Sequence, residues 1–226
     1  MASGYDAPMN NELSAHLDPA AVARVPTQQR AIDRFEAVLA EAEAVLVESG
    51  LAGFSIPVIA ERLNMTRGSV YAYFPTPFAI LNELVGRYLN QIEDLFMQRG
   101  AELARLSWQD SIRLVVDFTA SYHNSHPAAR LLILGGAVTD ASYRAQEMLM
   151  KRLGGMARAV WLNHLEPGQR IPQSPDIATL VADLGVTCFR RSFFEHGEIT
   201  AEYREAAVVA MQSFLSSYIE TMPARE

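Results

Sequence analysis

Cysteine is the scarcest chemistry in this chain: Cys188 is the only one in 226 residues. A single thiol excludes an intrachain disulfide framework and a Cys-based zinc site, and it fits a reducing compartment. Lysine and arginine are missing from residues 1–23, where Asp6, Glu12 and Asp18 are acidic. A secretory leader needs a basic start followed by an apolar core, so none is expected. No uncharged apolar run approaches the roughly 18 residues of a membrane span; the richest, 131–138, is far too short. There is no internal repeat and no long low-complexity segment. No convincing strand stands out, and neither does a Ser/His/Asp order, a glycine-rich phosphate loop or a pair of carboxylates. The expectation is a soluble cytoplasmic protein, not an enzyme, with no cofactor and no metal.

Half of the chain is hydrophobic (50%) and 20% is charged, which predicts a folded core. Net charge is −7 and the pI about 5.3. Read alone, that balance argues against a nucleic-acid partner, since such domains are often strongly basic. The total hides the distribution, however. Asp33, Glu36, Glu41, Glu43 and Glu48 are clustered early, whereas no acidic residue lies between Glu61 and Glu83, where Arg62 and Arg67 stand.

Residues 1–26 are small and polar, with Pro8 and Pro19 and no helical period, which predicts a flexible N-terminal arm. From Thr27 the pattern changes. Ile32, Phe35, Val38, Leu39, Ala42 and Leu46 recur every three or four residues, the apolar face of a helix ending near Gly50. Ser55 is placed to cap the next helix, with Pro57 in its first turn and Ile59, Ala60 and Leu63 as its buried face. Asn64 suits a left-handed turn residue. Thr66 is placed to cap a third helix running through Phe74, after which Pro75 and Pro77 intervene. A longer helix, a short helix, a three-residue turn and a second short helix make a helix-turn-helix layout.

With Val70 inward at 100° per residue, Phe74 falls on the same side, while Gly68, Ser69, Tyr71 and Ala72 form the outward strip. Gly68 and Ala72 are small enough to let the helix sit deep in a major groove. Arg67, Ser69, Tyr71 and Tyr73 supply donors for phosphates or base edges. The helix N-terminus adds positive potential. A small helical subdomain in which glycine and aromatics merely pack is the competing reading of this window.

The run 54–75, Phe-Ser-Ile-Pro-Val-Ile-Ala-Glu-Arg-Leu-Asn-Met-Thr-Arg-Gly-Ser-Val-Tyr-Ala-Tyr-Phe-Pro, resembles the DNA-binding signature of the TetR (tetracycline repressor) family. The similarity covers about 27–84; the rest of the chain matches the family only in being helical and of typical length. The resemblance implies a homodimeric, ligand-responsive transcription factor binding double-stranded, palindromic operator DNA. It places Thr66, Arg67, Gly68, Ser69, Tyr71 and Tyr73 as candidate DNA-facing residues, and Ser55 and the hydroxyl of Thr76 are further candidates. The family tends to carry a phosphate-holding lysine at the start of the following helix; here that position is Pro77, and Arg24 or Arg30 are the candidates to compensate.

Beyond Phe78 the periodicity predicts helices to about 106, from Trp108 past Tyr122, over 127–137, over 142–164, over 176–195 and over 201–222, with a loop at 166–175. The fold class is all-α: a helix-turn-helix domain over 27–82, then a larger helical ligand-binding and dimerisation domain over 83–226. Ala207, Met211, Phe214, Tyr218 and Met222 form one apolar stripe, and Val208, Leu215 and Ile219 a second. Two stripes imply a partner subunit, unless both are buried within one chain. Phe189, Phe193, Met211, Phe214 and Tyr218 are the candidate dimer residues.

Phe118, Tyr122, His123, Leu132, Met148, Leu149, Met156 and Trp161 are the candidate lining of a largely apolar effector site, or else core. Asn124 and Arg130 are polar groups near its expected mouth. His123 and His126 are three apart, but a turn or cap role fits them better than metal binding. Cys188, among apolar neighbours, reads as an inert thiol. The expected function is a DNA-binding regulator, a repressor released by a small, largely apolar ligand. The alternative is a helical ligand-binding or protein-interaction module without DNA binding.

Overall fold

The computed structural model describes residues 18–221. The expected arm over 1–17, and Met222 of the last apolar stripe, lie outside the described residues. The elements are a 3-10 turn Pro19–Ala21, then α1 Gln29–Gly53, α2 Ile56–Arg62, α3 Arg67–Tyr73, α4 Pro77–Leu103, α5 Trp108–Ser125, α6 Pro127–Leu134 and α7 Asp140–Leu162. They continue with β1 Gln169–Arg170, α8 Ile177–His196, α9 Ala201–Tyr218 and β2 Glu220–Thr221. The fold is all-α. Among the described residues the one departure is an antiparallel ladder pairing Gln169 with Thr221 and Arg170 with Glu220, where the sequence shows no strand. Two paired residues are too few to leave an alternating pattern, so this pairing is invisible to periodicity.

The chain divides into two compact units, residues 1–90 with 127–145 and residues 91–126 with 146–226; α4 contributes to both. In the first unit, α1 buries Phe35, Val38, Leu39, Ala42, Val45 and Leu46. Its last turn is interrupted at Gly50, whose φ of +62° is a conformation L side chains rarely adopt. Ile56, Ile59 and Ala60 of α2, Val70 of α3 and Phe74 complete this core. Full burial of each larger side chain contributes about 1.5–3 kcal/mol. Phe74 stacks on Phe35 at 4.6 Å between centroids. The short apolar α6 packs on α1 and buries Leu132, Ile133 and Leu134.

The segment just before α1 is not free chain. Asp18 caps the 3-10 turn by accepting from Ala20 N at 2.9 Å. Thr76 donates to the Ala20 carbonyl (2.7 Å), Asn82 to the Ala21 carbonyl (3.0 Å), and Arg24 N–H to the Tyr73 carbonyl (2.7 Å). From Asp18 onward, the stretch expected to be a flexible arm is a strap bonded to the end of α3 and the start of α4.

The second unit is built around α9, which packs on α8 and on α5. Its core holds Ile112, Val116, Leu149, Leu153, Trp161, Val181, Phe189, Val208, Met211 and Leu215. Gly197, in the left-handed region at φ +72°, ends α8. The turn into α9 is clamped twice. Ser192 donates to the Glu198 carbonyl (2.8 Å) and accepts from Thr200 N (3.0 Å). Asn124 pairs with both backbone groups of Ile199 at 2.9 Å each, so the side chain expected near a ligand mouth is holding a turn.

Candidate nucleic-acid interface

Asn64 has φ +51°, the left-handed turn expected of it, and Thr66 caps α3 by accepting from Ser69 N at 3.2 Å. The two hydroxyls of Thr66 and Ser69 also bond each other at 2.7 Å, which fixes both rotamers at the start of the helix. Val70 is fully buried, and this orients the rest of α3. Arg67, Gly68, Tyr71 and Ala72 are exposed and Ser69 half-buried, as the helical wheel predicts. Tyr73 is half-buried and meets Phe35 edge-on at 6.1 Å.

Glycine inside a helix costs about 1 kcal/mol relative to alanine. No protein atom lies within 4 Å of where a Cβ at Gly68 would be, so nothing in the fold requires its smallness. The same is true of Gly100 and Gly155 inside α4 and α7, so the open space marks Gly68 as lying on a free helix face and nothing more.

The charges differ from what the local sequence implies. Arg62 is not available for a phosphate: it forks onto Glu48 (2.8 and 3.0 Å), and its Nε lies 2.6 Å from Glu41. The pair holds the Glu48 carboxyl below, and the Arg62 guanidinium above, its ordinary value, first through the hydrogen bond and then through the charge. Arg67 makes no ion pair among the described residues, and neither do Arg24, Arg30 and Arg34. Ser55 occupies the N-cap position of α2, makes no capping bond and is half-exposed. Thr76 differs: its one hydroxyl proton goes to Ala20 and its oxygen accepts from Ala79 N, so it positions the strap.

Behind this face, Arg87 of α4 bonds Glu36 of α1 (2.6 and 2.9 Å) and Glu83 of its own helix (2.9 Å), with its guanidinium 5.8 Å from the Phe35 ring. Burial, and then the Glu36 charge, push Glu83 up to about 7. The spacing of Glu83 and Arg87 is readable in sequence; their link to Glu36 is not.

The ligand candidates occupy the second unit except Leu132, which is fully buried in the first. Phe118 meets Phe96 edge-on at 4.9 Å, and Tyr122 donates to Gln91 at 2.7 Å. His123 is buried against Tyr122 and Phe189. Leu149 and Trp161 are core residues, the indole N–H donating to Ser111 at 3.2 Å; Met148 and Met156 are half-buried. That bond ties α5 to α7, the helices bearing these residues. His126 stacks on Tyr122 and sits against its carbonyl at 2.8 Å, a helix-end role. Burial raises the Cys188 thiol above its ordinary value, consistent with an unreactive thiol.

Of the candidate dimer residues, Phe189 and Met211 face the chain's own core, with Met211 against Gly185. Phe193, Phe214 and Tyr218 keep partial exposure. Among the described residues the most exposed aromatic is Phe194 (81%), on α8, which is not among the candidates.

Residues 38–84 match the family model described as bacterial regulatory proteins, tetR family. No curated protein matches the chain. Among solved structures, a TetR-family transcriptional regulator from Streptomyces coelicolor aligns with TM-score 0.63 at 17% identity, over 82% of this chain and 99% of that one. SmeT, the repressor of the Stenotrophomonas maltophilia multidrug efflux pump SmeDEF, aligns with TM-score 0.61 at 19% identity, over 82% and 90%. FadR of Bacillus subtilis, in complex with stearoyl-CoA, aligns with TM-score 0.60 at 12% identity, over 80% and 98%. At such identities the similarity establishes the fold, while the family match lies on the helix-turn-helix segment described above.

Proposed function

We propose, from a TetR-family DNA-binding segment carried on a TetR-regulator fold, that this chain is a dimeric transcriptional repressor that binds a palindromic operator and is released by a small ligand. The observation that carries the reading is the exposed strip of Arg67, Gly68, Tyr71 and Ala72 on a capped helix oriented by buried Val70, inside the segment that matches the family model. Arg67, Ser69, Tyr71 and Tyr73, with the hydroxyls of Thr66 and Ser55, are its DNA contacts, and Thr76 is a positioning residue. The region after the helix-turn-helix is the sensor and dimer part. Half-exposed Phe193, Phe214 and Tyr218 support a dimer surface on α8 and α9.

Twofold symmetry places two copies of α3 in successive major grooves about 34–36 Å apart. The effector is small and largely apolar, a reading supported by Phe118, Tyr122, Met148 and Met156; similarly folded proteins include one that holds stearoyl-CoA. Ligand binding favours a conformation whose two recognition helices no longer match that spacing, a shift of population set by its differential affinity. Operator binding takes place in the cytoplasm; among the described residues, no helix is long and apolar enough to cross a membrane.

The test is titration of the protein onto DNA from its own upstream region at low and moderate salt. Arg67→Ala should weaken binding while leaving the dimer intact. No complex at either salt would refute the reading.

A further inference from the structure

Resting on that reading, we infer that the strap before α1 is part of the DNA-binding surface and that Arg24 binds a phosphate. The first observation is placement. The Arg24 N–H bonds the carbonyl of Tyr73, the last residue of α3, at 2.7 Å. Residue 24 is thereby fixed at the C-terminal end of the recognition helix, while Arg67 stands at the other end. A helix of seven residues is about 10 Å long, close to the roughly 12 Å width of the major groove it would enter. Two exposed arginines, one with its backbone fixed at each end of the helix, therefore bracket the exposed strip.

The second observation is that the strap is built. Three donors fix its backbone: Thr76 to Ala20, Asn82 to Ala21, and Arg24 itself to α3. Asn82 is the central one. Its amide nitrogen holds the strap and its carbonyl accepts from Thr139 at 2.6 Å, on the segment leading into α7. Thr139 is in turn locked to Ser142 in a mutual cap. A segment that merely ran past would not be tied at three places.

The third observation is electrostatic need. The C-terminal end of a helix presents unpaired carbonyls and a partial negative charge, which repel phosphate. The Arg24 N–H satisfies one of those carbonyls, and in this proposal its side chain brings a positive charge to the same end. Within 54–82 Arg62 is spent on Glu41 and Glu48, position 77 is proline, and Arg67 is the other arginine. Arg24 is exposed and makes no ion pair among the described residues. It is the cation that completes the face.

The experiment compares wild type, Arg24→Ala, Arg24→Lys and Asn82→Ala on a duplex selected by the wild-type protein from a random-sequence pool, across a salt series. Removing one phosphate-binding cation should flatten the slope of log K against log salt by about 0.9, or about 1.8 for a symmetric dimer. Arg24→Ala should show that flattening and bind about 5- to 20-fold more weakly at low salt, with an unchanged melting temperature; Arg24→Lys should restore the slope. Asn82→Ala keeps the cation but loosens the strap, and should weaken binding several-fold. A wild-type slope in Arg24→Ala overturns this inference alone. Failure of the wild type to select any duplex overturns the functional reading beneath it.

Discussion

Arg62 and Glu48 form a forked ion pair, with N–O distances of 2.8 and 3.0 Å, across helices α2 and α1. The pair makes Arg62, one of the two cations in the acid-free window, a bracket for the helix-turn-helix. Both side chains are partly exposed, at 37% and 57%, so the bracket is weak. Arg62→Ala should lower the melting temperature slightly and leave the salt slope of DNA binding close to wild type. Because Glu48 is held below its ordinary value, the pair's contribution persists through neutral pH and is lost only as pH falls below the usual carboxylate range. A loss of salt slope as large as that of Arg67→Ala would contradict this assignment.

Gly68→Ala separates fold from function. Alanine is the better helix former and meets no protein atom within 4 Å, so the variant should be more stable by about 0.5–1 kcal/mol. In a domain of this size that is a rise in Tm of roughly 1–4 °C. DNA affinity should fall if the face bearing the methyl group enters the groove as proposed. Thermal melting and a binding titration on the same sample check both halves; tighter or unchanged binding would remove Gly68 from the interface.

Glu83 makes stability depend on pH. Burial, with the Glu36 charge, raises its carboxyl from the ordinary 4.5 to about 7, so between those values the folded state holds a proton that the unfolded state releases. This contribution is complete below about 4.5, declines as pH rises, and is gone above about 7. Glu83→Gln keeps an acceptor for Arg87 without the buried charge. It should melt a few degrees above wild type at pH 8, with the difference vanishing as pH falls toward 4.5. A variant less stable than wild type at pH 8 would show that the charged form is favoured.

Gly154 and Gly185 look equivalent in sequence and are not. A Cβ at Gly154 would lie 2.8 Å from the backbone nitrogen of Thr179, so alanine there must push α7 from α8. A Cβ at Gly185 would meet the flexible sulfur of Met211 at 2.8 Å. Overpacking against backbone costs about 1–3 kcal/mol, offset in part by helix propensity. Urea unfolding should therefore find Gly154→Ala clearly destabilised and Gly185→Ala near neutral; the reverse order would contradict the packing.

What the sequence makes legible is what is local. Asn64, Thr66, Val70 and Phe74 act through their own turn or through a 3.6-residue period, and each sits as that period demands. Arg62 looks like a free cation in its own window because its partners Glu41 and Glu48 lie on another helix and leave no mark on the residues beside it. Ala20 and Ala21 contribute only carbonyls to the strap, so no side-chain pattern announces it. The stripes of α9 are visible, but periodicity does not say that both meet the chain's own core, Ala207 and Met211 from one and Val208 and Leu215 from the other. Phe189 and Met211 turn inward, while Phe194 stays out.

The central claim is that α3 reads DNA as part of a symmetric dimer. Hydroxyl-radical footprinting on a duplex selected by the protein, at about 50 mM and about 200 mM salt, tests it directly. Two protected half-sites should appear with centres about 34–36 Å apart, weaker at the higher salt and diminished with Arg67→Ala. Protection of neither half-site at either salt, or protection that survives Arg67→Ala undiminished, would contradict it.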